Sequence, residues 1–233
     1  MDFDFTPYFK RYEALLVLAD RLFEQVSQQH PECINCKIGC SDCCHALFDL
    51  TLIEALYLNH KFNERFSGPE KEDLLETANV ADRQAARIKR EAYRSLQKGT
   101  SESEVLRQLA EERIRCPLLD GNEQCVLYET RPITCRLYGI PTAIGGRGHT
   151  CGISGFEPGE AYPTVHLDKI NEQLQQISAE LVRDLGSGFI KLVDLLVPVS
   201  MALISIYDEA YFGLKEPEEE PLPKSKRRRR RSL

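Results

Sequence analysis

Five cysteines fall within twelve residues, Cys33, Cys36, Cys40, Cys43 and Cys44, and four more follow as Cys116, Cys125, Cys135 and Cys151. Thiolates ligate Zn²⁺, iron–sulfur clusters and other soft metals. The short spacings suit that chemistry, because one tight loop can aim several sulphurs inward. A helical turn over 40–44 would set Cys40, Cys43 and Cys44 on one face, and Gly39 lets the backbone approach closely. Nine cysteines in 233 residues are too few for a disulfide scaffold, and the count is odd. The N-terminal stretch MDFDFTPYFKRYEALL lacks a basic region followed by an apolar one, so a cytoplasmic, reducing setting is expected. In that setting clustered cysteines point to metal rather than cross-links.

The later cysteines must be brought together by the fold. Cys116–Tyr128 reads as a β-hairpin. A two-residue Asp120-Gly121 turn would put Cys116 opposite Cys125, with Cβ atoms about 4.5–5.5 Å apart. Cys135 follows on a short helix beginning at Pro132, whose N-terminus would favour a thiolate. The glycine-rich stretch 139–160 reads as a loop that delivers Cys151. Its Gly145–Gly148 run neither follows a strand nor opens a helix, so a phosphate cradle is the lesser reading. His45 and His149 adjoin the cysteines as substitute ligands or close neighbours. Arg131 and Arg136 are expected either to donate to cluster sulphurs or to pair with Glu129 or Glu54. Tyr128 and Tyr138 read as core aromatics.

Zinc sites usually draw on two separated C-x2-C pairs. Several cysteines crowded in one loop, completed from afar, are closer to iron–sulfur ligation. The expected ligands are Cys36, Cys40, Cys43, Cys44, Cys116, Cys125, Cys135 and Cys151, enough for one or two sites. They would hold at least one iron–sulfur cluster, with zinc as a further or alternative metal.

Cys36-x3-Cys40-x2-Cys43-Cys44, Cys116-Pro117-Leu118, Gly121-x3-Cys125-x2-Tyr128-Glu129-x-Arg131-Pro132-x2-Cys135-Arg136 and Cys151 together resemble the YkgJ-type cysteine-cluster family, described as a zinc- or iron-chelating domain. The resemblance spans 36–151 and leaves out Cys33. It implies zinc or iron–sulfur binding. More distantly the chain is similar to flagellin lysine-N-methylases, which implies a [4Fe–4S] cluster and, as an alternative activity, S-adenosylmethionine-dependent methyl transfer to protein lysine. A structural-zinc interaction module is the other alternative. Cys36-x3-Cys40-x2-Cys43 also spells the radical S-adenosylmethionine signature, but that fold needs a partial (β/α) barrel. No Ser/His/Asp set or carboxylate pair stands out, so no catalytic residue is assigned. A redox, electron-transfer or metal-handling role calls for a redox or protein partner.

The elements that must position these thiols are mostly helical. Apolar residues from Phe9 to Val26 recur at three and four, giving a helix from Thr6-Pro7 to about His30. Thr51 and Glu54 form a capping box for a helix to about Phe66. Ser67-Gly68-Pro69 separates it from a long helix, about 70–97, with an apolar stripe through Leu74, Leu75, Ala78, Ala81, Ala85 and Ile88. Ser101 and Glu104 are expected to form another capping box, for a shorter helix to Ile114. Val165–Leu181 is helical. Phe189–Leu203 is ambiguous and divided by Pro198, and a final helix runs to about Tyr211. The expected class is mainly α: an irregular helical domain with a small β-hairpin and cysteine-rich metal-binding loops, over 1–214, with a helical insert at about 67–114. Residues 215–233 are Pro/Glu-rich, then Arg-rich, and are expected to be disordered. They carry a net +4 against −6 for the whole chain, leaving about −10 elsewhere. An acidic body makes a poor general nucleic-acid binder. The basic run reads either as a solvated tail or as a weak contact for nucleic acid or an anionic surface. No apolar run is long enough to span a membrane.

Overall fold

The structure is a computed structural model in which residues 3–37 and 39–214 are described; the basic tail lies outside them. Helix α1 (Thr6–Gln29) opens where Asp4 accepts the Thr6 N–H at 2.9 Å, with Pro7 in the first turn. Helix α2 (Leu52–Arg65) starts at the expected capping box, with Thr51 N–H and Oγ both donating to Glu54 Oε2 at 3.1 and 3.0 Å.

Every residue from Leu52 to Leu58 is buried, so α2 is wrapped rather than amphipathic. One side, with Ile53 and Leu56, packs against Tyr12, Leu16 and Ala19 of α1 and Leu174 and Leu181 of α6 (Leu167–Asp184). The other, with Leu58 and Phe62, packs against Ala78, Leu118, Leu127, Ala202 and Leu203. Ser178, fully buried, ties the two helices by accepting the Ile53 N–H at 3.2 Å.

Helix α3 (Gly68–Gln97) buries Ala78, Ala81, Ala85 and Ile88, the central and C-terminal part of the expected stripe. Small residues let it lie close to its neighbours. Lys89 holds both oxygens of Asp49 at 2.6 and 2.7 Å, fixing α3 to strand β1 (Asp49–Leu50). Helix α4 (Glu102–Glu111) is capped by Ser101, which accepts the Glu104 N–H at 3.3 Å, but the expected box is half made because the Glu104 side chain accepts from Arg107 and Gln108 instead. It stops short of Ile114 because residues 113–116 pair with the cysteine loop.

Three expectations are corrected. The Cys116–Tyr128 segment is not a two-residue hairpin. Its pairing is Leu119 with Cys125, closed over Gly121-Asn122-Glu123, with Glu123 at φ +58° and Asp120 accepting the N–H groups of Asn122 and Gln124 at 2.8 Å. The side chain of Asp120 organises a longer turn, so Cys125 faces Leu119 rather than Cys116. Conversely, the stretch read as loop holds the regular hairpin, β2 (Thr142–Ile144) with β3 (Arg147–His149). Gly145 and Gly146 supply its two left-handed turn positions. Gly145 N–H donates to the Asp168 carboxylate, so this turn is already engaged with α6. Strand β4 (Val165–His166) adds in parallel to β2 and replaces the expected first turn of α6.

Last, no helix reaches Tyr211. Strand β5 (Val197–Pro198) pairs with β1, and helix α7 is Val199–Ile204. Asn59 ends it by donating to the carbonyls of Ala202, Leu203 and Ser205 at 2.9, 3.2 and 3.1 Å. One side-chain amide thus serves the orphan carbonyls of a helix end. Among the described residues, no helix is long and apolar enough to cross a membrane.

Candidate metal centre

Helix α5 (Ile133–Leu137) carries Cys135 and is seated by Glu54, whose Oε1 accepts the Ile133 N–H at 3.3 Å. One buried carboxylate therefore caps α2 and anchors α5. Burial raises the Glu54 pKa against the pull of these hydrogen bonds. Cys43 and Cys44 lie in a 3₁₀ turn, Asp42–His45, with Cys40 just ahead of it. The expected one-faced turn over 40–44 is therefore shorter and begins later.

Backbone pairing brings the next thiols in. Cys116 N–H donates to the Cys44 carbonyl at 2.7 Å, and Ile114 N–H to the His45 carbonyl at 3.0 Å. Val126 N–H donates to Leu118 at 2.8 Å, which fixes Cys125 beside that stretch. Cys151 arrives on a loop stitched to the first cysteine segment: Gly155 N–H donates to the Cys33 carbonyl at 2.8 Å, and Asn35 Nδ2 to the Ile153 carbonyl at 2.5 Å.

All eight expected ligands face two adjoining cavities. The inner one is lined by Cys43, Cys44, Cys116, Cys125 and Cys135, with apolar walls including Phe48, Leu58 and Leu118. The outer one, about 720 Å³, is lined by Cys36, Cys40 and Cys151 with Asp42, and by Cys43, Cys44, Cys125 and Cys135 as well. Every cysteine is a free thiol. Among the described residues no three donors are gathered into a ready-made ion site; the thiols stand around the cavity walls. Cys33 is buried beside its neighbour Glu32 and belongs to the hydrophobic core of α1 and α6. It lies outside the set, as its position outside the sequence pattern suggests.

The donor chemistry fits a thiophilic metal, and the backbone leaves room for it. A Cβ on Gly139 would stand 2.2 Å from Cys36 Sγ, so glycine there makes the space this sulphur occupies. Most of the thiols are held protonated. Burial pushes Cys36 to about 11 and Cys116 to about 12, and raises Cys125, Cys135 and Cys151. Cys43 differs: a hydrogen bond with Cys44 lowers it to about 7, and Arg131 adds to the effect. Its partner Cys44 is raised in turn by the same bond. A metal must displace the remaining protons.

Arg131 lies over the Tyr128 ring at 3.6 Å from its centroid and donates through Nε to the Tyr128 carbonyl at 2.9 Å. Its positive charge favours the thiolates of Cys36, Cys43, Cys125 and Cys135. No ion pair among the described residues includes it. Arg136 is structural: it is buried, pairs with Asp20 at 2.5 Å and donates to the carbonyls of Arg131 and Glu129. The expected Glu129 and Glu54 pairs are thus absent among the described residues. Tyr128 is 55% exposed at the cavity rim, not a core aromatic. His45 turns its Nδ1 to the Ser41 carbonyl at 3.0 Å, and His149 is exposed on β3. Asp42 and Gly139 escaped the sequence reading. The position of Asp42 between Cys40 and Cys43 was the available signal for the first.

The sequence model of one protein family, CxxCxxCC, described as a "putative zinc- or iron-chelating domain", matches residues 32–152, just over half the chain. No curated protein and no solved structure matches it, and the likeness to flagellin methylases has no counterpart in these comparisons.

Proposed function

The chain belongs to this CxxCxxCC family of zinc- or iron-chelating domains, and from that premise we propose that it holds at least one iron–sulfur cluster and serves a redox, electron-transfer or metal-handling role. One observation carries the reading. Five thiols from three separate stretches, Cys43-Cys44, Cys116 with Cys125, and Cys135, meet at one cavity whose other walls are largely apolar. Thiolate ligands are what an iron–sulfur cluster requires, and hydrogen bonding and solvent exposure set its potential. When bound, the cluster would supply one-electron chemistry. The chain's own part is to present the sulphurs, keep water from the inner wall and place the Arg131 charge beside them. Arg131 offsets part of the negative charge that bound thiolates bring.

Anaerobic purification tests this. The expected result is a brown protein absorbing near ~400 nm, with iron and acid-labile sulphide. Colourless protein carrying only zinc would replace the cluster with a structural-zinc module. The cytoplasm, where thiols stay reduced, is the setting that matches this role.

A further inference from the structure

Helix α3 carries none of the thiols, and its two faces differ in kind. One face buries Ala78, Ala81, Ala85 and Ile88, and Ala81 and Ala85 form part of the inner cavity wall. The opposite face, over the C-terminal half, holds Arg83, Arg87, Arg90, Arg94 and, at the C-cap, Lys98, all of them exposed. Spacings of four, three, four and four residues keep the five in one line, about 22 Å long at ~1.5 Å per residue. Among the described residues none of the five is in an ion pair; the pairs of this region are Lys89 with Asp49 and Arg107 with Glu104 and Glu111. From 83 to 98 six cations stand against one acid, Glu91. Glu72 and Glu76 continue the face toward the N-terminus, the nearer of them about 10 Å along the axis from Arg83. Like charges at these spacings repel and weaken a helix. The helix dipole favours cations only in the last turn, which accounts for Arg94 and leaves Arg83, Arg87 and Arg90 without a structural purpose.

We propose that this stripe docks a single-stranded nucleic acid, with the cations on its phosphates and Tyr93 stacked on a base. Charge complementarity is the first argument. A straight line of unpaired cations matches a polymer of repeating negative charge better than it matches the mixed surface of a protein. Four of the five are arginines, whose planar fork suits phosphate oxygens. The second argument is Tyr93, which lies between Arg90 and Arg94 in the chain, is 62% exposed and makes no ring contact among the described residues. A basic track with an exposed aromatic beside it is how single strands are held without sequence preference. An anionic bilayer would need apolar side chains beside the cations, and the apolar face of α3 is buried in the core. The net negative charge of the chain does not prevent docking, because charges more than about 10 Å away are screened and the local field is positive. A bound strand would lie about one helix diameter, ~10 Å, from the inner cavity wall. The inference goes beyond the metal reading and does not rest on it.

The test uses the full chain, purified anaerobically, and a fluorescein-labelled oligouridylate of about 20 nucleotides, with binding read by anisotropy from about 50 to 200 mM KCl. Wild type should bind at low salt and weaken steeply as salt rises. The triple variant Arg87→Gln, Arg90→Gln and Arg94→Gln should bind at least about 10-fold more weakly, with a salt slope smaller by about 2, at ~0.7 per phosphate contact. Tyr93→Ala should bind about 5-fold more weakly or worse with the slope unchanged. The other basic run is removed by changing Arg227→Gln, Arg228→Gln, Arg229→Gln, Arg230→Gln and Arg231→Gln together. In that background the triple variant should lose the same factor. Circular dichroism and metal per chain, both expected at wild-type values, check that the variants fold. A folded triple variant with wild-type affinity and slope overturns the proposal, as does wild type that fails to bind at low salt. Tighter binding of a duplex of the same length, or an unchanged affinity in Tyr93→Ala, overturns the single-strand reading. Phosphatidylserine vesicles that retain wild type but not the triple variant, with no binding of the oligomer, would assign the stripe to a membrane surface and overturn it as well.

Discussion

Around α2 the chain is ordered by burial: Leu52, Ile53, Leu58 and Phe62 are each at most 1% exposed and are packed from both sides. Across the cavity the cysteine loops are ordered otherwise. None of the residues from Cys40 to Cys44 is fully buried, and their regular structure is one 3₁₀ turn. Backbone pairs between Cys44 and Cys116, a carboxylate beneath α5 and a few side-chain stitches hold them. Apolar burial is collective, so the body is expected to hold its fold without a ligand. A loop of polar backbone and thiols has little such surface and gains most of its order from what the sulphurs bind. The two halves are therefore expected to respond differently to metal removal.

The largest expected effect is in the body. Phe62→Ala should cost about 3–5 kcal/mol, equally with and without metal, in urea melts. A cost that appeared only in metal-free protein would mean that the two halves do not separate. Next, stripping metal with a chelator should leave the far-UV helical signal in place while protease cuts appear within 34–46 and 115–125. Loss of the helical signal on chelation would break the comparison outright.

Glu54 joins the halves, so its variants sharpen the comparison. Glu54→Ala removes a cap and leaves the Ile133 N–H without its acceptor, an expected cost of about 2 kcal/mol together with weaker metal retention through Cys135. The pH dependence has a definite sign. Burial holds the Glu54 pKa above 4.5, so the fold favours the protonated acid. That contribution is complete below pH 4.5 and fades as pH rises through the folded value. Wild type should therefore lose stability relative to Glu54→Gln from pH 4 to 8 in paired melts. A flat difference would mean the carboxyl is not held protonated.

Smaller still is Gly139→Ala. The added methyl meets Cys36 Sγ, which must rotate away, so the melt should move by under about 1 kcal/mol while metal content falls. The smallest effect on metal is at Cys33. Cys33→Ser should leave metal per chain at the wild-type value, whereas Cys36→Ser should lower it. Equal losses would erase the line between core cysteine and ligand.

Much of the body was legible because it is local. The capping box at Thr51, the stripe on α3 and the helix N-cap at Ser101 are patterns a few residues long, and the structure carries each one. The turns were less legible. Asp120 bends its segment through its own side chain and shifts the pairing from the expected register, while Gly145-Gly146 closes a hairpin whose short strands have no clear alternation. Helix ends were misjudged where the partner is remote, as with Asn59 at the end of α7.

Residue type and spacing determined the chemistry on their own: a thiol is a soft donor wherever it lies, and eight in this pattern, with Cys33 outside it, mark a metal-chelating chain of mainly helical build. Which sulphurs share a cavity was decided only in three dimensions. The inner and outer groups mix near and distant cysteines, Cys44 with Cys116 and Cys36 with Cys151, because backbone pairing and loop stitching act through space and leave no period in the chain. The same holds for Asp42. Only the fold sets Arg113 on one of its oxygens and Cys151 on the other.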